Sequence, residues 1–481
     1  MKKTISLLMA LLLLLSLTWT ASAEDVPTLE VVLWEPPVPD ADLVSDALSA
    51  LTMEKIGCKV HLNFVQEQNQ WPLLLASNDQ IDVIFESAGL GYYDQAADGA
   101  FLNLKDLLPE VTPALYSTLT ETHLIAATVN GGVFCVPSYK DMCGRLGLWI
   151  EKKMADALNI DTSLTYSLKD IEPWLEYIHN DPDHVNSTLM VFGSNLNFPR
   201  LGMSESYYYL DNISGFSFGA PKSDTSKVEC VYLSDAYEEY CKMMYDWYKK
   251  GYIRQDVATI DNWGAYYTNG SGVGYGIKMG QYNPYAELSN SAAYGGEVVF
   301  IKIGENVMGN TDILGACWAV PAKSKYPEQA LKLIELLDTD TDVQTTLAYG
   351  VEGVHYNKVD GKIQLVEGYA DHYKTQDYKA GDVRVRGLQV GEADDKGKKF
   401  EELNNSAVAS PFLGFQPDLS SIVNENAAVY AVVQEYAKLL GNGAADPEVY
   451  LPLFRDALKE AGAEMIVSTI QAQYDAFNNA K

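Results

Sequence analysis

Residues Leu29-Glu30-Val31-Val32-Leu33-Trp34 open with alternating apolar and polar positions and are rich in β-formers, which predicts a strand. A loop with three prolines follows from Glu35 to Asp40, then Leu43 to Ile56 carries apolar residues at helical spacing, and Lys59 to Val65 reads as a second strand. That β-loop-α-β order implies a sheet covered by helices. Trp71 to Ser77 reads as a further helix, and Ile81 to Phe85 as a third strand ending in Glu86-Ser87-Ala88-Gly89. Gly99 to Leu108 and Val133 to Tyr139 continue this half. Gly144 to Ile150 begins another apolar strand, followed by helical stretches at Lys152–Leu158, Leu168–His179 and Ala236–Tyr248.

A Gly- and Tyr-rich segment, Trp263 to Tyr285, interrupts the middle of the chain. Val298 to Ile303 and Ala316 to Val320 look like buried strands, and Tyr326 to Leu337 is a marked amphipathic helix. Residues 355–400 are polar and rich in Gly and Lys, which predicts a surface excursion or hairpin. The tail from Ser420 to Asn479 is helical, with apolar spacing through Ile422–Leu440 and Leu453–Phe477. No internal repeat of fixed period and no low-complexity linker divides the chain.

The amino terminus predicts export. Met1-Lys2-Lys3 is a short positive region, Leu7 to Leu17 is almost uninterruptedly apolar, and Ala21-Ser22-Ala23 is a small-x-small cleavage signal. Residues 1–23 therefore read as a secretory signal peptide, too short in its apolar core for the roughly 20 residues that span a bilayer. Loss of Lys2 and Lys3 would take the formal charge from −30 to −32. The first cysteine after the apolar core is Cys58, so no lipid-modified cysteine follows the leader, and the mature chain is expected to be soluble.

Charge narrows the partners. Asp+Glu 65 against Lys+Arg 35 excludes a nucleic-acid surface, which needs a dense field of cations, and disfavours anionic membranes and acidic substrates. Tyr 31 far exceeds Phe 14, with Trp 8 beside it, and these rings pair an apolar face with a polar edge that suits a wet, neutral ligand. The length allows two or three domains and a cleft between them. Six cysteines without a C-x-x-C pair support neither a zinc nor a redox motif, and local bridges (Cys135 with Cys143, Cys230 with Cys241) and free thiols both remain open.

Catalytic motifs fail on spacing. Gly270 to Gly276 lacks the third glycine of a dinucleotide fingerprint and any following Gly-Lys-Ser/Thr, so it reads as a turn or a close backbone approach. Asp338-Thr339-Asp340-Thr341-Asp342 starts like a calcium loop but has Val343 at the sixth position and Tyr349 at the twelfth, which leaves a helix-end turn and N-cap. No H-E-x-x-H and no C-x-x-C occurs, so no metal or cofactor is expected. A glycosidase needs only two carboxyls, and among 65 acids nothing singles out a pair, Glu86 and Asp141 being candidates that read equally as hydrogen-bond acceptors or solvated loop acids.

Several segments in order resemble extracellular solute-binding proteins of bacterial ABC importers, carbohydrate-type members with a carboxy-terminal domain of unknown function, DUF3502. They are Leu73 to Ser77 with Ile81 to Phe85, Gly99 to Leu108, Val129 to Pro137, Pro321 to Leu331, Leu347 to Tyr356, Gly414 to Asp418, and Ala461 to Ala463 with Ile470 to Gln473. The missing cysteine departs from members that tether through a lipid. The resemblance implies an α/β, two-lobed type 2 periplasmic-binding-protein fold with a helical carboxy-terminal extension. Lobe one would take 24–145 plus 298–322, and lobe two 146–297 plus 323–481, with the DUF3502-like region from about 340.

It also implies capture rather than chemistry. A monomer takes a saccharide in the interlobe cleft, closes, and docks on ABC permease subunits. Ligands of open α/β sheets sit outside strand carboxyl ends, which selects Trp34, Trp71, Glu86, Tyr92, Tyr93, Tyr139, Asp141, Trp263, Tyr267, Tyr275 and Trp318 as ligand-binding candidates. Trp149 and Trp247 lie in core patterns. Two alternatives stand beside this one: the same fold binding a peptide or cationic solute steered by the acidic charge, and a secreted glycosidase.

Overall fold

The computed structural model describes residues 26–480 with the exception of 78, 145, 181–187, 191–196, 211–212, 260–274, 285, 288–289 and 292–294. The chain opens with β1 (Thr28–Leu33), α1 (Ala41–Ile56), β2 (Lys59–Phe64), α2 (Trp71–Ala76), β3 (Val83–Glu86), α3 (Tyr92–Ala97) and β4 (Val136–Pro137). It crosses to a second lobe through β5 (Leu146–Glu151), β6 (Thr165–Tyr166), β7 (Thr188–Met190), α4 (Asp235–Lys249), β8 (Tyr275–Gln281) and β9 (Val298–Ile303). It returns through β10 (Val307–Met308), α5 (Asn310–Ile313) and β11 (Cys317–Ala319), then adds α6 (Pro327–Thr339), α7 (Thr341–Tyr349) and α8 (Lys396–Asn405). A third crossing, β12 (Val408–Ala409), leads to α9 (Val423–Gly441), α10 (Pro447–Glu460) and α11 (Ala463–Ala480).

Each lobe is built on a five-stranded sheet. The first has the order β2-β1-β3-β11-β4, with β1 parallel to β2 and β3 and the returning β11 antiparallel to β3 and β4. The second has the order β6-β9-β5-β8-β7, with β5 antiparallel to both neighbours. Strand β3 is buried at every position because helices cover both sides of its sheet, whereas β2, at the edge, alternates exposed and buried residues. Two cores result. One holds Val31, Val83, Trp318 and the leucine stripe of α6; the other holds Leu148, Trp247, Phe454 and Ile470.

That division moves the expected lobe boundary. The expected division places 298–322 in lobe one, yet β9 (Val298–Ile303) is a strand of the second sheet; it places α6 and α7 in lobe two, yet Ala330, Leu331, Ile334, Val343 and Leu347 pack in the first core. The chain stays in lobe one after its return because α6 must bury its apolar stripe against the sheet that β11 has just joined. Only from about Phe412 onward do the carboxy-terminal helices enter the second core, where α9 packs on α4 and α10. The N-cap reading of Asp340 holds: its carboxylate accepts from Asp342 N at 3.1 Å and Val343 N at 3.0 Å, and pairs with Lys55 at 2.8 Å.

The three crossings run side by side. Val307 and Met308 pair in parallel with Val408 and Ala409, and Gly144 N donates to Val307 O at 3.1 Å. A Cβ at Gly144 would lie 2.9 Å from Asp312 Oδ1, so a larger residue there would have to displace the Asp312 carboxylate. Buried asparagines lace the segments together. Asn404 accepts from Met142 N and donates to Lys140 O, Asn306 donates to Leu403 O, and Asn310 donates to Phe412 O and Phe415 O while accepting from Gly414 N.

Replacing Asn310 with Ala takes the side-chain partner from Gly414 N and Phe415 O, while Phe412 O keeps its bond from Phe415 N at 2.9 Å; each stranded group costs on the order of 1–3 kcal/mol when left unpaired and unhydrated. Urea unfolding of Asn310→Ala is expected to show a lower midpoint at an unchanged slope, with a loss of about 2–4 kcal/mol.

Candidate functional site

The carboxyl ends of β1, β3 and β4 meet at one side of the first sheet, next to the first crossing. Strand β1 delivers Trp34 and Glu35, β3 delivers Glu86, and the segment after β4 delivers Tyr139 and Asp141. Across the gap, β8 of the second lobe ends at Gln281, whose side chain donates to Asp141 Oδ2 at 3.2 Å. Asn283 also bonds Asp141. These contacts join a carboxylate on the crossing to the strand end of the opposite lobe.

Trp34 is half-buried, with its indole N–H donated to Gln66 O at 2.8 Å. The ammonium of Lys379 lies 4.6 Å from the Trp34 ring centre, donates to Trp34 O at 2.7 Å and pairs with Glu35 at 3.1 Å. Lys379 and Glu35 are 4% and 5% exposed, so this is a buried ion pair that holds the loop in one arrangement. Burial pushes the Lys379 ammonium below its ordinary range, against the pull of Glu35. Gln376 N adds a second bond to the Glu35 carboxylate at 2.9 Å. Arg384 stacks 3.6 Å from the centre of the Tyr139 ring and forms a bidentate pair with Asp382.

A second ionic layer lies beside this one. Arg386, fully buried, reaches Asp377 at 3.1 Å, Glu392 at 3.1 Å and the hydroxyl of Tyr349, and Glu392 also pairs with Lys396. Burial pushes Asp377 up to about 6 and Lys396 down to about 7. Asp141 and Asp377 act on one another electrostatically, and both act on Tyr378. The result is one flat, partly exposed ring, Trp34, flanked by carboxylate acceptors and by amide and ammonium donors. Among the described residues no three His, Cys, Asp or Glu side chains converge as metal ligands.

The sequence candidates separate into three groups. Tyr139 and Asp141 lie at the first crossing, and Trp34 lies at the same carboxyl side of the sheet, at the end of β1, with β3 and β11 between β1 and β4. Trp71, Tyr92 and Trp318 are buried and belong to packing instead: Trp71 donates to Glu86 Oε1 at 2.7 Å, Tyr92 donates to Ala127 O and stacks on Phe101, and Trp318 meets Phe85 edge-on. Glu86 is buried with Trp71 and so offers no free carboxylate to a solute. Tyr93 is half-buried and stands apart on α3, its hydroxyl bonded to Ala126 O. Tyr275 begins β8, six residues and roughly 20 Å of extended chain from the crossing end. Trp263 and Tyr267 lie outside the described residues, as does most of the glycine run that precedes Tyr275. Trp149 and Trp247 are buried, in line with the core reading.

Residues that sequence reasoning missed are Glu35, Gln281, Tyr378, Lys379 and Arg384. Residues 355–400 are not a surface excursion throughout: Lys379, Asp382, Arg386, Glu392 and Lys396 are all buried. The alternation in Val383-Arg384-Val385-Arg386 would put both arginines on the polar face of a strand, whereas the segment folds as a turn that buries Arg386, so no sequence signal marked them. All six cysteines are buried, and none is joined to another by a disulfide.

Comparison with known proteins supports this architecture. Residues 411–479 match the family model described as a domain of unknown function, DUF3502. A Streptococcus pneumoniae serotype 4 protein described as a carbohydrate ABC transporter substrate-binding protein is 23% identical over 444 residues, 88% of this chain and 85% of that protein. The crystal structure of an N-glycan transport solute binding protein, NgtS, from Streptococcus pneumoniae superposes with a TM-score of 0.80 at 22% identity, covering 95% of this chain and 100% of that one. NgtS with bound Man1GlcNAc gives 0.70 at 21% identity over 94% of this chain and 99% of that one. NgtS with bound Man5GlcNAc gives 0.67 at 22% over 95% and 99%. The fold is the two-lobed type 2 architecture of periplasmic sugar-binding proteins.

Burial raises the Glu86 carboxyl to about 8, although Trp71 and Ser87 N bond its charged form. The native state therefore binds one more proton than the unfolded chain between the ordinary carboxyl range and about pH 8. The stability this proton confers is complete below that window and is lost as pH rises through it, at about 1.4 kcal/mol per pH unit. Glu86→Gln keeps an acceptor for Trp71 and removes the titration. Urea unfolding at a series of pH values from 5 to 9 is expected to show a flatter profile for Glu86→Gln than for the wild type.

Proposed function

We propose that the protein is the extracellular solute-binding component of an ABC importer, and that it captures an oligosaccharide between its lobes and hands it to a membrane permease. The observation that carries this reading is two α/β sheets joined by three crossings, with Trp34 and Asp141 at strand carboxyl ends of the first sheet and Asp141 bonded to Gln281 at the strand end of the second. A sugar ring presents apolar faces to an indole and hydroxyls to carboxylates and amides, and lobe closure by hinge motion desolvates both. The likeness to a carbohydrate-binding relative and to NgtS supports a saccharide.

Chemistry is disfavoured by the placement of the acids. A glycosidase needs two carboxyls flanking the scissile bond, whereas Glu86 is buried on Trp71 and Asp141 is held by Gln281 and Asn283. A cationic solute would have to displace Lys379 and Arg384, which already occupy the aromatic faces of Trp34 and Tyr139. Export through removal of residues 1–23, a monomeric state and docking on permease subunits belong to the same proposal. No helix among the described residues is long and apolar enough to cross a membrane.

Calorimetry against a neutral glycan panel that includes Man1GlcNAc and Man5GlcNAc tests the reading. Trp34→Ala is expected to weaken saccharide binding by about 10- to 100-fold, the range of a lost stacking face. Binding of a peptide or polyamine with no response to any neutral saccharide would overturn it.

A further inference from the structure

A second cavity opens between the lobes, away from Trp34. It lies among α3, α5 and residues 416–423, and its volume of about 430 Å³ falls within the roughly 300–1,000 Å³ of small-molecule sites. Tyr93 and Asp94 form its first-lobe wall; Gln416, Asp418 and Ser420, at the start of the carboxy-terminal region, form its second-lobe wall. The loop from Glu86 to Tyr93 connects it with the strand-end site, because Gly89 O in that loop accepts from Gln68 at 2.6 Å, beside the Gln66 carbonyl that holds Trp34.

Three features suit it to a sugar. Tyr93 is fixed through its hydroxyl on Ala126 O at 3.1 Å, which leaves a half-exposed ring on the cavity side. Asp418 is preset by Ser420 N at 2.8 Å and by its own N–H on Gln473 at 2.7 Å, so a carboxylate is presented without further ordering. The described lining holds two carboxylates, Asp94 and Asp418, and no Lys, Arg or His. Such a wall accepts hydroxyls and repels acidic sugars.

We propose that this cavity is a second saccharide subsite, which takes the far end of a neutral oligosaccharide whose near end lies at Trp34, and that its two carboxylates select against acidic glycans. The proposal rests on the capture reading above. It also gives the carboxy-terminal region, matched only to a domain of unknown function, a direct contact with ligand.

Tyr93→Ala and Gln416→Ala test it by calorimetry against Man1GlcNAc and Man5GlcNAc, with malto- and cello-oligosaccharide ladders as further series. Gln416 is exposed, so its variant keeps the fold even if Tyr93→Ala does not. The expected result is a loss of about tenfold for the longest member of the series that binds and of less than about twofold for the shortest. Equal loss for short and long members, or loss for neither, overturns the subsite. A wild-type protein that binds no member of any series overturns the capture reading itself, and the subsite with it. For the charge selectivity, the Asp94→Asn, Asp418→Asn double variant is expected to gain affinity for an oligogalacturonate ladder. Wild-type binding of that ladder as tight as the neutral one, or no gain in the double variant, overturns the selectivity.

Discussion

Everything that moves or binds in this molecule depends on three chain segments that cross between the lobes in one bundle. A single crossing leaves two lobes free to swivel; three side by side restrict them to rotation about a common line. Backbone pairing between β10 and β12 is only two residues long, too little to hold that bundle unaided. The remaining bonds come from Asn306, Asn310 and Asn404, whose amides bridge the backbone of one segment to that of another. An amide donates and accepts at once, so one side chain can satisfy both kinds of stranded backbone group where strands are too short to pair.

The hinge then fixes what the cleft floor must tolerate. The segment after β4 has to leave lobe one at the strand ends, and it carries Lys140 and Asp141 into a place with little water. Residues 373–402 fold over this exit and bring Lys379, Arg384 and Arg386 with their carboxylate partners. Removing one partner from such a pair leaves an uncompensated buried charge, so the network resists rearrangement when a ligand arrives. A rigid floor and a rotating wall are what capture by closure requires.

How much of this was legible follows from which forces leave a periodic trace. Strands β1, β2, β3 and β9 and helices α1 and α6 were readable because one buried face imposes a period of 2 or 3.6 on sequence. Trp34 and Asp141 stand by strand ends as expected, because the end of a strand is a position that topology itself marks. Trp71, Tyr92 and Trp318 were misplaced for the complementary reason: an aromatic residue near a strand end carries no sign of which way it points. Tyr92 and Tyr93 make this plain, since adjacent positions on one helix go to the core and to a cavity. Lys379 escaped because its partner Glu35 lies 344 positions away, and a buried cation has the same letter as a solvated one. The placement of α6 and α7 was missed because an amphipathic helix states that it will be buried, not in which core.

The same physics bears on selectivity. Closing the lobes removes water from every polar group in the cleft, so a solute is accepted by the groups it satisfies and rejected by those it leaves unpaired. At Trp34 the indole N–H is already spent on Gln66 and one approach to the ring is occupied by Lys379, which leaves an apolar face with little hydrogen-bonding demand of its own. Discrimination therefore has to come from groups with capacity to spare around that face and farther along the cleft. On the proposed reading, a stacking platform that tolerates many rings, combined with polar walls that do not, would let one cleft hold a family of related sugar chains while refusing those with the wrong charge.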